Sequence, residues 1–322
     1  MSKSLRASVL SALALSLFSA CPVAQVAPNT GVTKSIKNPL QVAILRWYDA
    51  NVTTSFNLGG NSVGVAFDGA SIWTSGNDVT KLRASDGAVQ GTFPGGDGGM
   101  AFDGANMWVA SETIPGVVTK LRASDGAVQG TFGVGNVPVA IAFDGANIWV
   151  VNFDSDSLTK LRASDGMVLG TFGVGFSVPT AIAFDGNNLW VANFGNNSVT
   201  KLRPSDGKVL GMFRAGDGPE GVAFDGVNIW VTNYKSGRVT KLRARDGEML
   251  GSFGVGMSPR GLAFDGANVW VANEGSNNVT ELRARDGAIL GTFAVGSQPQ
   301  GIAFDGANIW VTNLTSNFVS KL

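Results

Sequence analysis

The sequence contains no histidine. Mechanisms that need an imidazole as general base, zinc ligand or haem ligand are therefore closed to it. There is one cysteine, Cys21, so an intramolecular disulfide is excluded, and its place in an N-terminal leader excludes a cysteine nucleophile. Excess charge of either sign is missing too. Lys plus Arg and Asp plus Glu are both 24, so no global basic field draws in nucleic acid and no nucleic-acid partner is expected. The apolar run at residues 7–20 is too short to make a good membrane span.

What the sequence has in abundance is one repeated word. It reads Phe67-Asp-Gly-Ala-Ser-Ile-Trp73, then Phe102-Asp-Gly-Ala-Asn-Met-Trp108, and recurs at Phe143, Phe184, Phe224, Phe264 and Phe304. After a first interval of 35 residues the spacing is 40 or 41, the length of one four-stranded propeller blade. The expected fold is all-β, a seven-bladed β-propeller of four-stranded blades. A residue found in every copy is a requirement of the fold before it is anything else, because a catalytic site normally uses one copy of each role. Turns in the repeats account for fourteen of the 24 acidic residues: seven in the Phe-Asp-Gly words, six at Asp86, Asp125, Asp165, Asp206, Asp246 and Asp286, and Asp49 in a matching position. Chemistry has to be sought where the copies differ.

One copy parses cleanly by alternation and turn residues. Gly221-Val-Ala-Phe224 is the first strand, Asp225-Gly226 a hairpin turn requiring positive φ, and Asn228-Ile-Trp-Val-Thr-Asn233 the second strand. Val239-Thr-Lys-Leu-Arg243 and Glu248-Met-Leu-Gly-Ser-Phe253 follow as third and fourth, joined at Asp246-Gly247. Both faces of such a sheet are apolar, so only neighbouring sheets can cover them. The tryptophans of the word are expected to fill the space between sheets. Small residues at Gly64, Ala140, Ala181, Gly221, Gly261 and Gly301 mark the first strand as innermost. Lys81, Lys120, Lys160, Lys201, Lys241 and Lys321, with Arg83 and Arg243, recur with the blades and read as a dispersed, solvated face. The last copy, ending Phe318-Val-Ser-Lys-Leu322, lacks a fourth strand. Residues 51–56 align with residues 88–93 and are expected to supply it, which closes the ring and removes an exposed edge. Residues 42–46 resemble an additional third strand, and Trp47 lies outside the array.

The N-terminus reads as a separate piece. Lys3 and Arg6 precede the apolar run, as in a secretory signal peptide. Leu17-Phe18-Ser19-Ala20-Cys21 resembles the lipobox of bacterial lipoproteins, with Cys21 the lipidated residue and Phe18 a departure from the usual pattern. The domain expectation is a leader over residues 1–21, a Pro- and Gly-containing tether over 22–40, and one propeller over 41–322. The corresponding localisation is an exported cell-envelope lipoprotein, periplasmic or on the surface, with simple secretion as the alternative. Membrane contact is expected only through the anchor, and the protein is expected to be a monomer.

The run Pro219-Glu-Gly-Val-Ala-Phe-Asp-Gly-Val-Asn-Ile-Trp-Val-Thr-Asn233, with Arg238-Val-Thr-Lys-Leu-Arg243 and residues 247–253, resembles the forty-residue YVTN-type β-propeller repeat. It is similar also to NHL repeats and to the streptogramin lyase group. The resemblance covers residues 51–322 and implies a bacterial envelope or surface propeller; it is specific for fold and weakly specific for activity. The lyase group implies a histidine acting on the substrate with bound magnesium, and that histidine has no counterpart here.

Phosphate loops are not indicated: Gly95-Gly-Asp-Gly-Gly99 and Gly216-Asp-Gly218 lack a following helix and Gly-Lys-Ser/Thr. Asp154-Ser-Asp156 alone is weak for calcium, which takes six to eight oxygens. The informative positions lie on the face that carries the loops after second strands and the crossovers after fourth strands. Phe153, Phe194, Tyr234, Glu274 and Leu314 follow second strands there, and Val139, Thr180, Glu220, Arg260 and Gln300 lie on crossovers. Charges outside the repeat pattern select Arg214, Asp217, Glu220, Lys235, Arg238, Arg260 and Glu274, and with Tyr234 these form the candidate binding face; surface drift is the bland alternative. The leading expectation is a non-enzymatic module, without catalytic residues, cofactor or bound metal, that binds a protein or glycan. The rival is a lactonase- or lyase-like enzyme using a divalent cation such as calcium or magnesium at the channel mouth. Asn152, Asn193, Asn233, Asn273 and Asn313 could supply oxygens to it, but their repetition favours hydrogen bonding at strand ends.

Overall fold

The computed structural model describes residues 54–322 apart from 174 and 176. The readings of residues 1–53, including the leader, Cys21, the tether, the strand-like residues 42–46 and Trp47, lie outside the described residues. Seven four-stranded antiparallel sheets form the seven blades of the propeller. Blades 1–6 each use four consecutive strands, as in blade 5: Pro219–Phe224, Asn228–Asn233, Arg238–Arg243 and Met249–Gly254. Blade 7 is composite. Its first three strands are Pro299–Phe304, Ile309–Asn313 and Phe318–Lys321, and its fourth is Thr54–Asn57, with Phe56 opposite Val319. The closing strand is the one expected from the alignment.

The first strands line the axis, and little room remains there. A Cβ on Gly301 would stand 2.6 Å from the backbone oxygen of Val63 in blade 1. Hydroxyls on second strands tie the inner ring across blades: Thr232 Oγ1 donates to Arg260 O at 2.6 Å, and Thr312 Oγ1 to Val63 O at 2.6 Å.

The repeated word proves to be one hydrogen-bonded unit. In every blade the indole N–H of the tryptophan donates to the aspartate of the same word at 2.7 Å. The other carboxylate oxygen accepts backbone N–H groups of the turn, as Asp144 Oδ1 does from Ala146 at 2.9 Å and Asn147 at 2.7 Å. The two central residues of this turn are Gly226 and Val227 in blade 5, with Asp225 N–H donating to Asn228 O at 3.0 Å. The positive φ, +92°, is on the glycine as expected, while the aspartate caps the turn from its flank. Burial works to raise the carboxyls of Asp103, Asp144, Asp265 and Asp305. The indole and backbone donors outweigh it and hold these groups below the ordinary aspartate value.

Hydrophobic cores lie between blades, as where Trp108 of blade 2 packs with Ile141, Ile148 and Leu161 of blade 3. A buried tryptophan covers roughly 150–250 Å², worth about 4–6 kcal/mol gross at ~25 cal/mol per Å². Each tryptophan also lies 5.3–5.7 Å from a fourth-strand phenylalanine of its own blade. Phe56, Phe93, Phe132, Phe172, Phe213 and Phe253 each cover a turn glycine of the next blade, Phe213 over Gly247 for example, where any Cβ would collide with the ring.

The recurring lysines are not a solvated face. Lys120, Lys160, Lys201 and Lys241 are at most 9% exposed. Each ammonium stands 5.0–5.1 Å from the tryptophan ring of its own blade. It donates to a backbone carbonyl of the next blade, Lys201 to Ala244 O at 2.7 Å and Lys321 to Ala84 O at 2.9 Å across the closure. The ammonium lies over the indole and staples two blades together. Blade 6 has Glu281 in this place. Asn268 donates to its carboxylate at 2.9 Å, and burial, then the charge of Asp265, raise the Glu281 carboxyl above its ordinary value.

Candidate functional site

Because first strands run from the crossovers toward the Phe-Asp-Gly turns, the second residue of the first strand in blades 1 and 3–7 stands at the mouth of the central channel on the crossover face. A cavity of about 690 Å³ opens there. Its throat is apolar, formed by Val65, Met100, Ile141, Val222, Leu262 and Ile302, and its polar side chains are Asp97, Glu112, Thr180, Glu220, Arg260 and Gln300. The volume suits a small-molecule-sized group.

Arg260 organises one side. Its Nη1 donates to Glu220 Oε1 at 2.6 Å and its Nε to Glu274 Oε2 at 2.7 Å. Gln300 Nε2 donates to the second oxygen of Glu274 at 3.1 Å. The guanidinium carbon stands 5.1 Å from the centre of the Tyr234 ring, and Tyr234 in turn meets Phe194 at 6.4 Å. The three charged side chains are 31%, 18% and 12% exposed for Arg260, Glu220 and Glu274, so the guanidinium is held in place by partners from blades 5 and 6. Burial raises the Glu220 carboxyl above the ordinary glutamate value; Arg260 opposes this and Glu274 adds to it.

Blade 2 contributes a second acidic group. Glu112 follows the second strand Asn106–Ser111, and its backbone N–H donates to Asp97 Oδ1 at 2.9 Å. Glu112 is exposed at the rim. Partial burial of its carboxyl first, then the Asp97 carboxylate, push it up to about 7, against the pull of Arg260.

The candidate residues from sequence divide in two. Glu220, Tyr234, Arg260 and Glu274 come together at the mouth. Lys235 is adjacent, its ammonium 4.4 Å from the Phe194 ring centre and its backbone N–H donating to Asp217 O at 3.1 Å. The Asp217 carboxylate is exposed beside Asn197, 3.4 Å away, and does not join the glutamates. Arg214 ends the exposed outer strand Val209–Arg214. The guanidinium of Arg238 bonds to Ser252 Oγ at 2.9 Å and Ser252 O at 2.7 Å on the outer strand of blade 5. Neither arginine reaches the channel. Asp97 and Glu112 were not singled out by the sequence, although Glu112 holds the same place after a second strand as Glu274.

The strand-end asparagines make the expected hydrogen bonds, Asn152 Nδ2 to Thr159 Oγ1 at 3.0 Å and Asn233 Nδ2 to Thr240 Oγ1 at 3.0 Å. In the Asp154–Asp156 loop, Asp156 Oδ1 accepts the Val178 N–H at 2.7 Å. Among the described residues, no group of three or more His, Cys, Asp or Glu is placed to hold a metal ion.

Several solved structures share this architecture. Hydrazine synthase of Kuenenia stuttgartiensis is 18% identical with a TM-score of 0.72, over 84% of this chain and 97% of that one. Virginiamycin B lyase from Staphylococcus aureus is 19% identical with a TM-score of 0.71, over 84% of this chain and 98% of the lyase. A streptogramin B lyase is 19% identical with a TM-score of 0.71, over 84% and 96%. What is shared is the fold. It is a seven-bladed propeller, as in the streptogramin B lyases, and at this identity the likeness extends no further. A variant of the S. aureus lyase with one histidine replaced by alanine is catalytically inactive; the propeller described here has no histidine. No family model and no curated protein matches the sequence.

Proposed function

We propose that this chain is a non-catalytic binding module that engages a protein or glycan partner through its crossover face, with a group of the partner entering the channel mouth. The observation that carries this reading is the change in side chain at one register. The second residue of the first strand is Val139, Thr180, Glu220, Arg260 and Gln300 in blades 3 to 7, and all five line the cavity. The residues around them repeat, so the variation is concentrated where a ligand would be read. The metal-dependent alternative loses its motive on the Arg260 side, because a guanidinium already occupies the place between the carboxylates of Glu220 and Glu274.

Glycan and peptide arrays test the assignment. Val139→Trp, which fills the mouth, is expected to weaken every partner bound by the wild type at least tenfold. Arg214→Glu, on the outer edge, should leave binding unchanged. Loss with Arg214→Glu and retention with Val139→Trp would move the site off the channel. We also propose that the module acts outside the cytoplasm, tethered through lipidated Cys21. Cys21→Ala is then expected to move the protein from the membrane to the soluble fraction, and unchanged partitioning would defeat the tether.

A further inference from the structure

Among the described residues, acceptors outnumber free donors at the mouth. Its polar side chains include the carboxylates of Asp97, Glu112 and Glu220, and Glu274 stands behind them against Arg260. The hydroxyl of Thr180 donates to Pro219 O at 3.0 Å. The one cation, Arg260, has Nε and Nη1 taken by Glu274 and Glu220, which leaves Nη2 without a protein partner among the described residues. Gln300 is 9% exposed and lines the cavity. Its amide nitrogen is used on Glu274, so the oxygen it retains is an acceptor without a described partner. Open to the cavity, that oxygen is free to accept from an entering donor. Four carboxylates against one guanidinium also disfavour an anion in a concave site where field lines are focused.

The levels of the site are equally specific. Position two of the first strands carries Thr180, Glu220, Arg260 and Gln300, with Asp97 and Glu112 on the adjoining loops of blade 2, and position four, one pleat further down the channel, carries Val65, Ile141, Val222, Leu262 and Ile302. We infer that the mouth receives an ammonium group carried on an apolar body, the cation meeting the acidic rim and the body filling the throat. This rests on the mouth being the binding site and names the chemistry of the group that enters. An ammonium brings three donors to a place that offers acceptors, and burial of the aliphatic part supplies the affinity. The carboxyl of Glu112, near neutrality and facing Asp97 and Arg260, makes capture pH-dependent. Its ionised form favours the cation, so affinity falls as pH drops from 8 to 6, by up to ~10-fold if Glu112 must be charged.

Three six-carbon probes of matched shape separate the outcomes: hexylamine, hexanol and hexanoate, titrated against the full chain by methyl NMR. Hexylamine is expected to shift the methyls of Val65, Ile141 and Leu262 and to bind about tenfold or more tightly than either analogue. The double variant Asp97→Asn/Glu112→Gln should bring hexylamine to the level of hexanol while leaving hexanol binding and melting behaviour unchanged. Hexanol or hexanoate binding as well as the amine at those methyls would overturn the ammonium assignment and leave the mouth reading intact. Absence of any probe from those methyls also overturns the assignment; the mouth reading falls with it only if Val139→Trp fails to weaken the array partners.

Discussion

Asp144→Asn is expected to lower the melting temperature by roughly 5–12 °C at pH 7, from a loss of about 2–4 kcal/mol. The carboxylate accepts from Ala146 and Asn147 backbone N–H groups at Oδ1, and from the Trp149 indole at Oδ2 at 2.7 Å. Every one of these partners is a donor. An asparagine supplies one oxygen and one amide nitrogen, so it must set a donor against either the turn or the buried indole. The cost spreads because Trp149 is fully buried and packs with Ile182, Leu189 and Val191 of the next blade. The pH dependence has a definite sign. Asp144 in the folded chain titrates below its ordinary value of 3.8. Its contribution is therefore present above that value and is lost as pH falls through the folded pKa. The gap between wild type and variant should begin to narrow below pH ~4, where the unfolded chain takes up the proton, and close as pH falls through the lower folded value. A constant gap from pH 7 to pH 2.5 in urea melts would show that the carboxylate charge is not what holds the indole.

Arg260→Met has the largest expected effect on the site. It keeps an unbranched side chain at this place but leaves Glu220 and Glu274 without the cation between them. Removing one partner of a buried ion pair costs about 3–5 kcal/mol; with these side chains 31%, 18% and 12% exposed, solvent screening reduces that to ~2 kcal/mol. The Glu220 carboxyl already titrates above its ordinary value of 4.5, so its neutral form is favoured in the fold. The penalty is then small at pH 4 and grows as pH rises and Glu220 ionises. Partner binding should fall at least tenfold. A triple variant, Arg260→Met with Glu220→Gln and Glu274→Gln, separates stability from recognition: melting at pH 7 returns toward wild type while binding stays lost. Recovery of binding in the triple variant would reduce the cluster to a structural tie between blades 5 and 6.

The architecture was legible because one word recurs seven times, and the closing strand was legible because residues 51–56 align with a fourth strand that blade 7 lacks. The bonds inside the word were not. An Asp-Gly pair reads as a turn by itself, and nothing in the spacing says that the second carboxylate oxygen reaches a tryptophan five residues on. The lysines were misjudged for a related reason. In Val-Thr-Lys-Leu-Arg the lysine alternates with apolar neighbours as a surface residue would, and its partner carbonyl lies about forty residues away in the next blade. At the site, departures from the repeat identified Glu220, Arg260 and Glu274, but the same rule selected Arg214 and Arg238. A departure is informative only at a register that faces the axis. Arg214 ends a fourth strand and Arg238 begins a third, both away from the strands that line the axis. Glu112 shares the register of Glu274 and was missed, because blade 2 has a shortened crossover and its copy aligns less obviously with the others.

The central claim is that the crossover face at the channel mouth, and not the Asp-Gly turn face, is where this propeller meets its partner. Hydrogen exchange with and without the tightest array partner tests it most directly. Slowed exchange is predicted at residues 96–99, 112–113, 217–221 and 274–276, with the turns at 225–228 and 244–248 unchanged. Protection confined to those turns, with the mouth unaffected, would contradict it.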